Sequence, residues 1–298
     1  MRVKFLALAF MIASLLPAFA ADPPKAPTST VVVSILPQAY FVERIGGGSF
    51  KASVLVGPGQ SPHSYEPTPR QMADLAKAAA WISIGVEFEK GVMPKVKSLY
   101  PRLPIFDATV GVKRRILEAH RHEGDAGHDE GDGHGEEGLD IHVWLGRQAS
   151  KVIAVNTRDA LAALDPASAA AFSKNCDALV RDIDAVFEGL AKDLEPLRGK
   201  PVFVYHPSFG YFLDEFGIAQ EAVELGGKEP TQKALAQLIE EARKDGAKVI
   251  FVQAQFSASA ARTVASAIGG VVETIDPLAP DWLPNLGRIG AALRSAIR

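Results

Sequence analysis

The 298-residue chain has one cysteine, Cys176, so no intrachain disulfide can form and the fold must be held by its core. No cysteine stands at the candidate N-terminal cleavage point, so no lipid anchor is expected. No apolar run reaches the roughly 20 residues a bilayer-spanning helix needs. No basic excess exists either: the formal net charge is −3, which argues against nucleic acid as a partner. The two halves share a rhythm of elements but no sequence repeat.

The N-terminus carries the signs of a secretory signal. Arg2 and Lys4 give a basic start, residues 5–16 a short apolar run, Pro17 a break, and Ala18-Phe19-Ala20 a small-residue cleavage pattern. Residues 1–20 are therefore expected to be a signal peptide cleaved near Ala20, followed by a Pro-rich leader at 21–29, with a soluble product in a Gram-negative periplasm. Cleavage takes the formal charge to −5 and leaves 278 residues. That length favours two lobes over one small core.

Along the remainder, residues 30–36, 51–56, 81–84 and 104–107 predict strands and 69–79 a helix, a mostly parallel α/β lobe. Residues 118–138 break the rhythm with four histidines, eight acids and many glycines. They hold too little apolar surface to offset the entropy of ordering, so a disordered loop is expected. Residues 147–164 predict a helix. Asp165-Pro166 reads as a helix start, and Phe172, Cys176, Leu179, Ile183, Val186, Leu190 and Leu194 recur at spacings of three and four. This predicts one amphipathic helix over 166–196, about 45 Å long and stiff enough to be a spine. Cys176 lies on its apolar stripe, as a core residue would. Strands at 202–205, 219–225, 248–252 and 271–275 and helices at 231–245, 258–268 and 284–297 then repeat the α/β rhythm. The expected organisation is an N-terminal lobe at 30–165, a linker helix at 166–196 and a C-terminal lobe at 197–298.

The seven histidines are of two kinds. His120, His122, His128 and His134 lie in the loop. His63, His142 and His206 follow predicted strands or open new segments, where an α/β lobe presents its binding loops. His63 sits between Pro62 and Pro67, which stiffen its loop. His142 sits in Asp140-Ile141-His142-Val143-Trp144, which reads as a short extended segment. His206 and Asp276 each end a strand and are followed by a proline. Three imidazoles and a carboxylate suit tetrahedral zinc. Calcium and magnesium want six or more oxygens, and manganese more carboxylate. Four protein donors leave little room for a reacting water, which favours binding over catalysis. Asp276 alone also fits a turn or cap; Glu66 and Glu87 fit ligands or solvated and salt-bridged residues.

These motifs resemble those of the metal-specific solute-binding proteins of ABC importers, which take up zinc or manganese. The resemblance covers the mature chain. It is carried by Pro62-His63-Ser64-Tyr65-Glu66, Asp140-Ile141-His142-Val143-Trp144, His206-Pro207-Ser208-Phe209-Gly210-Tyr211-Phe212, Gly227-Lys228-Glu229-Pro230 and Thr274-Ile275-Asp276-Pro277-Leu278. It implies two α/β lobes joined by one long helix, with metal in the interlobe cleft on His63, His142, His206 and Asp276. The first two ligands would come from the N-terminal lobe and the others from the C-terminal lobe. Zinc-type members place His near position 206, where manganese-type members place Glu, and zinc-type members carry a His- and acid-rich loop. Zinc is therefore the expected cargo, with manganese the alternative. Some zinc-type members have a C-terminal-lobe disulfide, which this chain cannot form.

The implied partners are a membrane permease and its ATPase, with a periplasmic metallochaperone as a further candidate, and the chain is expected to be a monomer and not an enzyme. The loop histidines read as auxiliary metal capture, as a sensor of high zinc, or as part of a solvating linker. Rival readings are a secreted metallohydrolase with Glu66 as general base and a metal store or chaperone without a permease.

Overall fold

A computed structural model describes residues 29–117, 138–224 and 231–297. The expected signal peptide, nearly all of the leader, the four loop histidines and the segment Gly227-Lys228-Glu229-Pro230 lie outside the described residues. No helix among the described residues is long and apolar enough to cross a membrane.

The first lobe runs β1 (Ser29–Ile35), α1 (Leu36–Gly46), β2 (Phe50–Val56), α2 (Pro69–Leu75), β3 (Ala80–Ser83), α3 (Glu87–Leu99), β4 (Ile105–Asp107) and α4 (Arg147–Leu164). Its sheet is wholly parallel in the order β2-β1-β3-β4, with Val33 opposite Val54 and Val32 opposite Trp81. Val31, Val32, Val33 and Ile35 are all buried, the continuous apolar strand expected when helices cover both sheet faces. At the end of β1 the Gln38 side chain holds the strand-to-helix turn. Its Oε1 accepts from Ser34 and Ile35 N–H (2.9 and 3.2 Å), and its Nε2 donates to Ile82 O (2.9 Å).

α5 (Ala169–Leu194) follows, about 39 Å long at 1.5 Å per residue. The second lobe then runs β5 (Pro201–Val204), α6 (Gly210–Asp214), β6 (Ala219–Ala222), α7 (Gln232–Lys244), β7 (Val249–Val252), α8 (Ser259–Ile268), β8 (Val271–Thr274) and α9 (Trp282–Leu293). Its sheet is again parallel, in the matching order β6-β5-β7-β8. The shared rhythm of the two halves is thus a shared topology.

The period-two alternation of β5 and β7 divides the packing of the second lobe. Val202, Val204, Val249 and Phe251 point into the large core shared with the first lobe and α5. Phe203, Tyr205, Ile250 and Val252 point the other way, into a smaller core that includes Leu238, Ala242, Ala261 and Val264 of α7 and α8. One continuous core therefore runs through both lobes. α9 reinforces it: Trp282 packs on Phe41 of α1 (centroids 4.6 Å apart), and its indole N–H donates to Trp144 O (2.8 Å). α9 also crosses α5 so closely that a Cβ on Gly290 would lie 2.2 Å from Leu190 Cδ2.

Several local expectations change. α5 is not a single helix from Pro166. Residues Pro166–Ser168 form a separate 3-10 turn, with Ser168 Oγ donating to Asp165 (2.7 Å). The buried stripe runs Ile183, Phe187, Leu190, with Val186 only partly buried, because the core faces Phe212 and Phe216 of the second lobe. The His142 segment is not extended: Val143–Leu145 make one 3-10 turn. α1, α3 and α6 were not expected. α1 opens with Leu36-Pro37 and merges with the preceding apolar strand, α3 carries Gly91 and Pro94, and α6 has five residues.

The stripe leads to a direct contrast. Phe187→Ala should cost about 3–5 kcal/mol, the usual range for truncating a buried phenylalanine. Val186→Ala should cost about 1 kcal/mol, as point substitutions do on average. Equilibrium urea denaturation of the two variants measures both, and equal losses would place Val186 on the buried stripe.

Candidate metal centre

His63 lies in the loop after β2. Tyr65 anchors that loop by donating its hydroxyl to Leu55 O (2.6 Å) and packing edge-on to Phe88 of α3 (5.1 Å). Phe88 N–H also donates to Pro62 O (3.4 Å). His142 directly precedes the 3-10 turn before α4. Its backbone N–H donates to Asp140 Oδ1 (2.9 Å), so the carboxylate fixes main chain and ring together. His206 follows β5, between whose end and that of β7 the sheet order reverses, the usual place for a ligand in such sheets. Gln253 after β7 clamps its main chain, accepting from His206 N–H (3.2 Å) and donating to His206 O (2.6 Å).

These elements bring the three imidazoles together. The ring centroids of His63 lie 5.4 Å from His142 and 4.5 Å from His206, and those of His142 and His206 lie 5.2 Å apart. One nitrogen from each falls within 4.8 Å of the others, a group able to hold a metal ion. Each Nδ1 faces a carboxylate: Asp140 Oδ1 for His142 (2.8 Å), Glu224 Oε2 for His206 (2.6 Å) and Glu87 Oε2 for His63 (3.0 Å). A carboxylate there accepts a hydrogen bond from Nδ1–H and leaves Nε2 unprotonated, the tautomer that binds metal. The Nε2 atoms of His142 and His206 are 3.3 Å apart. Two donors about 2.05 Å from a tetrahedral zinc are separated by about 3.3 Å. Two lone pairs facing each other at that distance repel unless a cation lies between them.

The surroundings are apolar. Phe256 stacks on His206 (4.8 Å) and Trp144 packs edge-on to His142 (5.4 Å). The space among the rings is about 10 Å³, room for one ion or water. Burial lowers the His206 pKa to about 4, aided by the neighbouring histidines and opposed by Glu224, so His206 is neutral at pH 7. Burial alone would raise Asp140 and Glu87. Hydrogen bonds and charge from His142 and Arg115 hold Asp140 below its ordinary value, and those from His63 do the same for Glu87.

Asp276 is not one of the converging members; Gln255, Pro277 and Leu278 around it line the space between the rings. Its Oδ1 accepts from Gln255 Nε2 and from Leu278 N–H, both at 2.9 Å. Glu66 is exposed. Glu87 takes the salt-bridged role weighed for it. Asp140 and Glu224 are functional residues that no motif pattern singles out as such. Asp140 is two residues from its histidine, the spacing at which an aspartate side chain accepts from the main chain in a turn. Glu224 is 18 residues from His206, and only the pairing of β5 with β6 brings it near.

Comparisons with known proteins agree on one family. A model of the periplasmic zinc-uptake complex component A, ZnuA, matches residues 31–286. The zinc-binding lipoprotein AdcA of Streptococcus pneumoniae is 26% identical over 250 residues, covering 83% of this chain and 50% of AdcA. The chain thus spans about half the length of the curated relatives it matches first. A crystal structure of ZnuA is similar with a TM-score of 0.82 at 32% identity, covering 92% of this chain and 100% of the other. A ZnuA deletion mutant with zinc bound gives 0.81 at 32% identity, covering 91% and 98%.

Two outcomes follow from this geometry. Asp140→Asn and Glu224→Gln should each weaken zinc binding by about 10–100-fold without touching a ligand atom, as loss of such supporting carboxylates does elsewhere; competition with a chromophoric chelator measures it. In the metal-free protein, unfolded His206 takes a proton near its ordinary 6.5, whereas the folded residue takes one only near 4. Between those values the unfolded state holds more protons, so this contribution to stability falls as pH falls. The stability of wild type minus that of His206→Gln should therefore drop by on the order of 3 kcal/mol from pH 6.5 to pH 4. A flat difference in denaturation profiles would mean that His206 is not kept neutral by burial.

Proposed function

The chain belongs to the periplasmic zinc-uptake complex component A family, and from that premise we propose that it is the zinc-capturing subunit of an ABC importer, receiving Zn²⁺ in the periplasm and delivering it to a membrane permease driven by an ATPase. The observation that carries this reading is the convergence of three imidazoles, each with a carboxylate at Nδ1. The zinc named for AdcA and bound in the ZnuA deletion mutant supports the same cargo.

His63, His142 and His206 are the ligands in this proposal, two from the first lobe and one from the second. Asp276 supplies the fourth donor after its side chain turns from Gln255. Three neutral imidazoles and one carboxylate favour zinc over manganese, which prefers more oxygen. Binding fits the centre better than hydrolysis, because the space among the rings has room for a single ion or water and Glu66 is not among the residues that line it. The apolar core shared by the lobes makes a small readjustment on metal binding the expected motion, with the permease reading a subtle change. The loop histidines serve as auxiliary capture, outside the tight site.

Elemental analysis of the purified protein after removal of loosely held metal, followed by zinc and manganese competition, tests the proposal. One zinc per chain that excess manganese does not displace is the expected result. Removing residues 118–138 should leave that tight site intact. Preferential retention of manganese would reassign the cargo, and loss of the tight site with the loop would remove the three histidines as its ligands.

A further inference from the structure

The chain on either side of residues 118–137 forms a short two-stranded stem. Ile116 bridges Leu139, Leu117 N–H donates to Gly138 O (2.7 Å), and Asp140 N–H donates to Arg115 O (3.0 Å). Arg115 and Asp140 therefore face each other at its root. Their side chains also meet: Arg115 Nη1 donates to Asp140 Oδ2 at 2.9 Å. Asp140 is fully buried and its other oxygen holds both the backbone N–H and the ring of His142. One carboxylate is thus gripped on one side by a guanidinium and on the other by a proposed metal ligand.

Arg115 reaches further. Its Nε donates to Asp214 Oδ2 of α6, in the other lobe, at 2.8 Å. Its backbone N–H donates to the Tyr211 hydroxyl (3.0 Å), which in turn donates to Asp140 O (3.2 Å), and its guanidinium lies 5.9 Å from the Tyr211 ring centroid. The fit against α6 is tight at Gly210, where a Cβ would lie 1.8 Å from Arg115 Nη1 and would push the guanidinium aside. A carboxylate held at one oxygen can still swing about its terminal torsion. Held at both, its plane is fixed, and with it the oxygen that accepts the Nδ1–H of His142.

We propose that Arg115 is a positioning residue of the metal centre: by holding Asp140 it sets the orientation and tautomer of His142, and through Asp214 and Tyr211 it makes that setting depend on α6 of the second lobe. This rests on His142 being a ligand. The assignment explains why a partly buried arginine bridges the two lobes beside the site without lining the space where metal would sit. Its planar fork presents Nη1 to Asp140 and Nε to Asp214 from fixed positions, which the point charge of a lysine does not reproduce.

The test uses Arg115→Met and Arg115→Lys, read by long-range ¹H–¹⁵N spectra of the histidine rings in metal-free protein and by zinc competition. Wild type should hold His142 wholly with the proton on Nδ1. In a folded Arg115→Met protein both tautomers should be seen and zinc affinity should fall about 10–100-fold, with Arg115→Lys recovering part of the loss. A single Nδ1–H tautomer with zinc affinity within about twofold of wild type would overturn the proposal. If Arg115→Met does not fold, Arg115→Lys decides, since it keeps the charge beside Asp140 and loses only the fork: a loss of about threefold or more with mixed tautomers supports the role, and wild-type values in both readouts overturn it. Failure of wild type to bind zinc tightly, with the tautomer still shifted in the variants, would sink the transport reading and leave the positioning role standing.

Discussion

The hydrogen bond between a carboxylate and the Nδ1 of an imidazole is the interaction on which the centre depends. It occurs three times, at Glu87–His63, Asp140–His142 and Glu224–His206. A free imidazole can carry its proton on either nitrogen and turn about two torsions. The carboxylate removes both freedoms, so the cost of ordering the ligand is met during folding and not at metal binding. The three carboxylates come from separate parts of the chain: Glu87 opens α3, Asp140 ends the stem before α4, and Glu224 follows β6. Each is placed by the parallel sheets and their connections.

The same folding that sets the rings also ties the lobes together. The second sheet turns one face to the core it shares with the first lobe and the other to its own helices. Trp144, next but one to His142, donates its indole N–H to Pro277 O (2.8 Å), directly after Asp276. Trp282 returns a bond to Trp144 O. The two loops carrying proposed ligands of different lobes are thus stitched by tryptophan hydrogen bonds within an apolar shell. Large hinge motion would break that shell, so a centre built this way favours a small local readjustment of side chains such as Asp276.

Much of this was legible from residue order. Continuous apolar strands and helices of 3.6 periodicity revealed two α/β halves and a long helix, and histidines that follow predicted strands or open new segments marked the three that converge. What was not legible has physical reasons. α1 begins inside an apolar run, and α3 carries Gly91 and Pro94, so neither shows a clean period. The stripe of α5 shifts from Val186 to Phe187 because the aromatic partners Phe212 and Phe216 come from the other lobe, which no local pattern reveals. Glu224 and Arg115 act through contacts made across 18 and 99 residues of chain, to His206 and Asp214. A centre assembled from distant loops shows its ligands more readily than the groups that orient them.

The most direct test of the three-histidine centre is X-ray absorption at the zinc edge on the protein loaded with one equivalent of Zn²⁺. Three imidazole nitrogens and one further oxygen or nitrogen donor at about 2.0–2.1 Å are expected. A fit with fewer than three imidazoles, or with a sulfur donor, would contradict it.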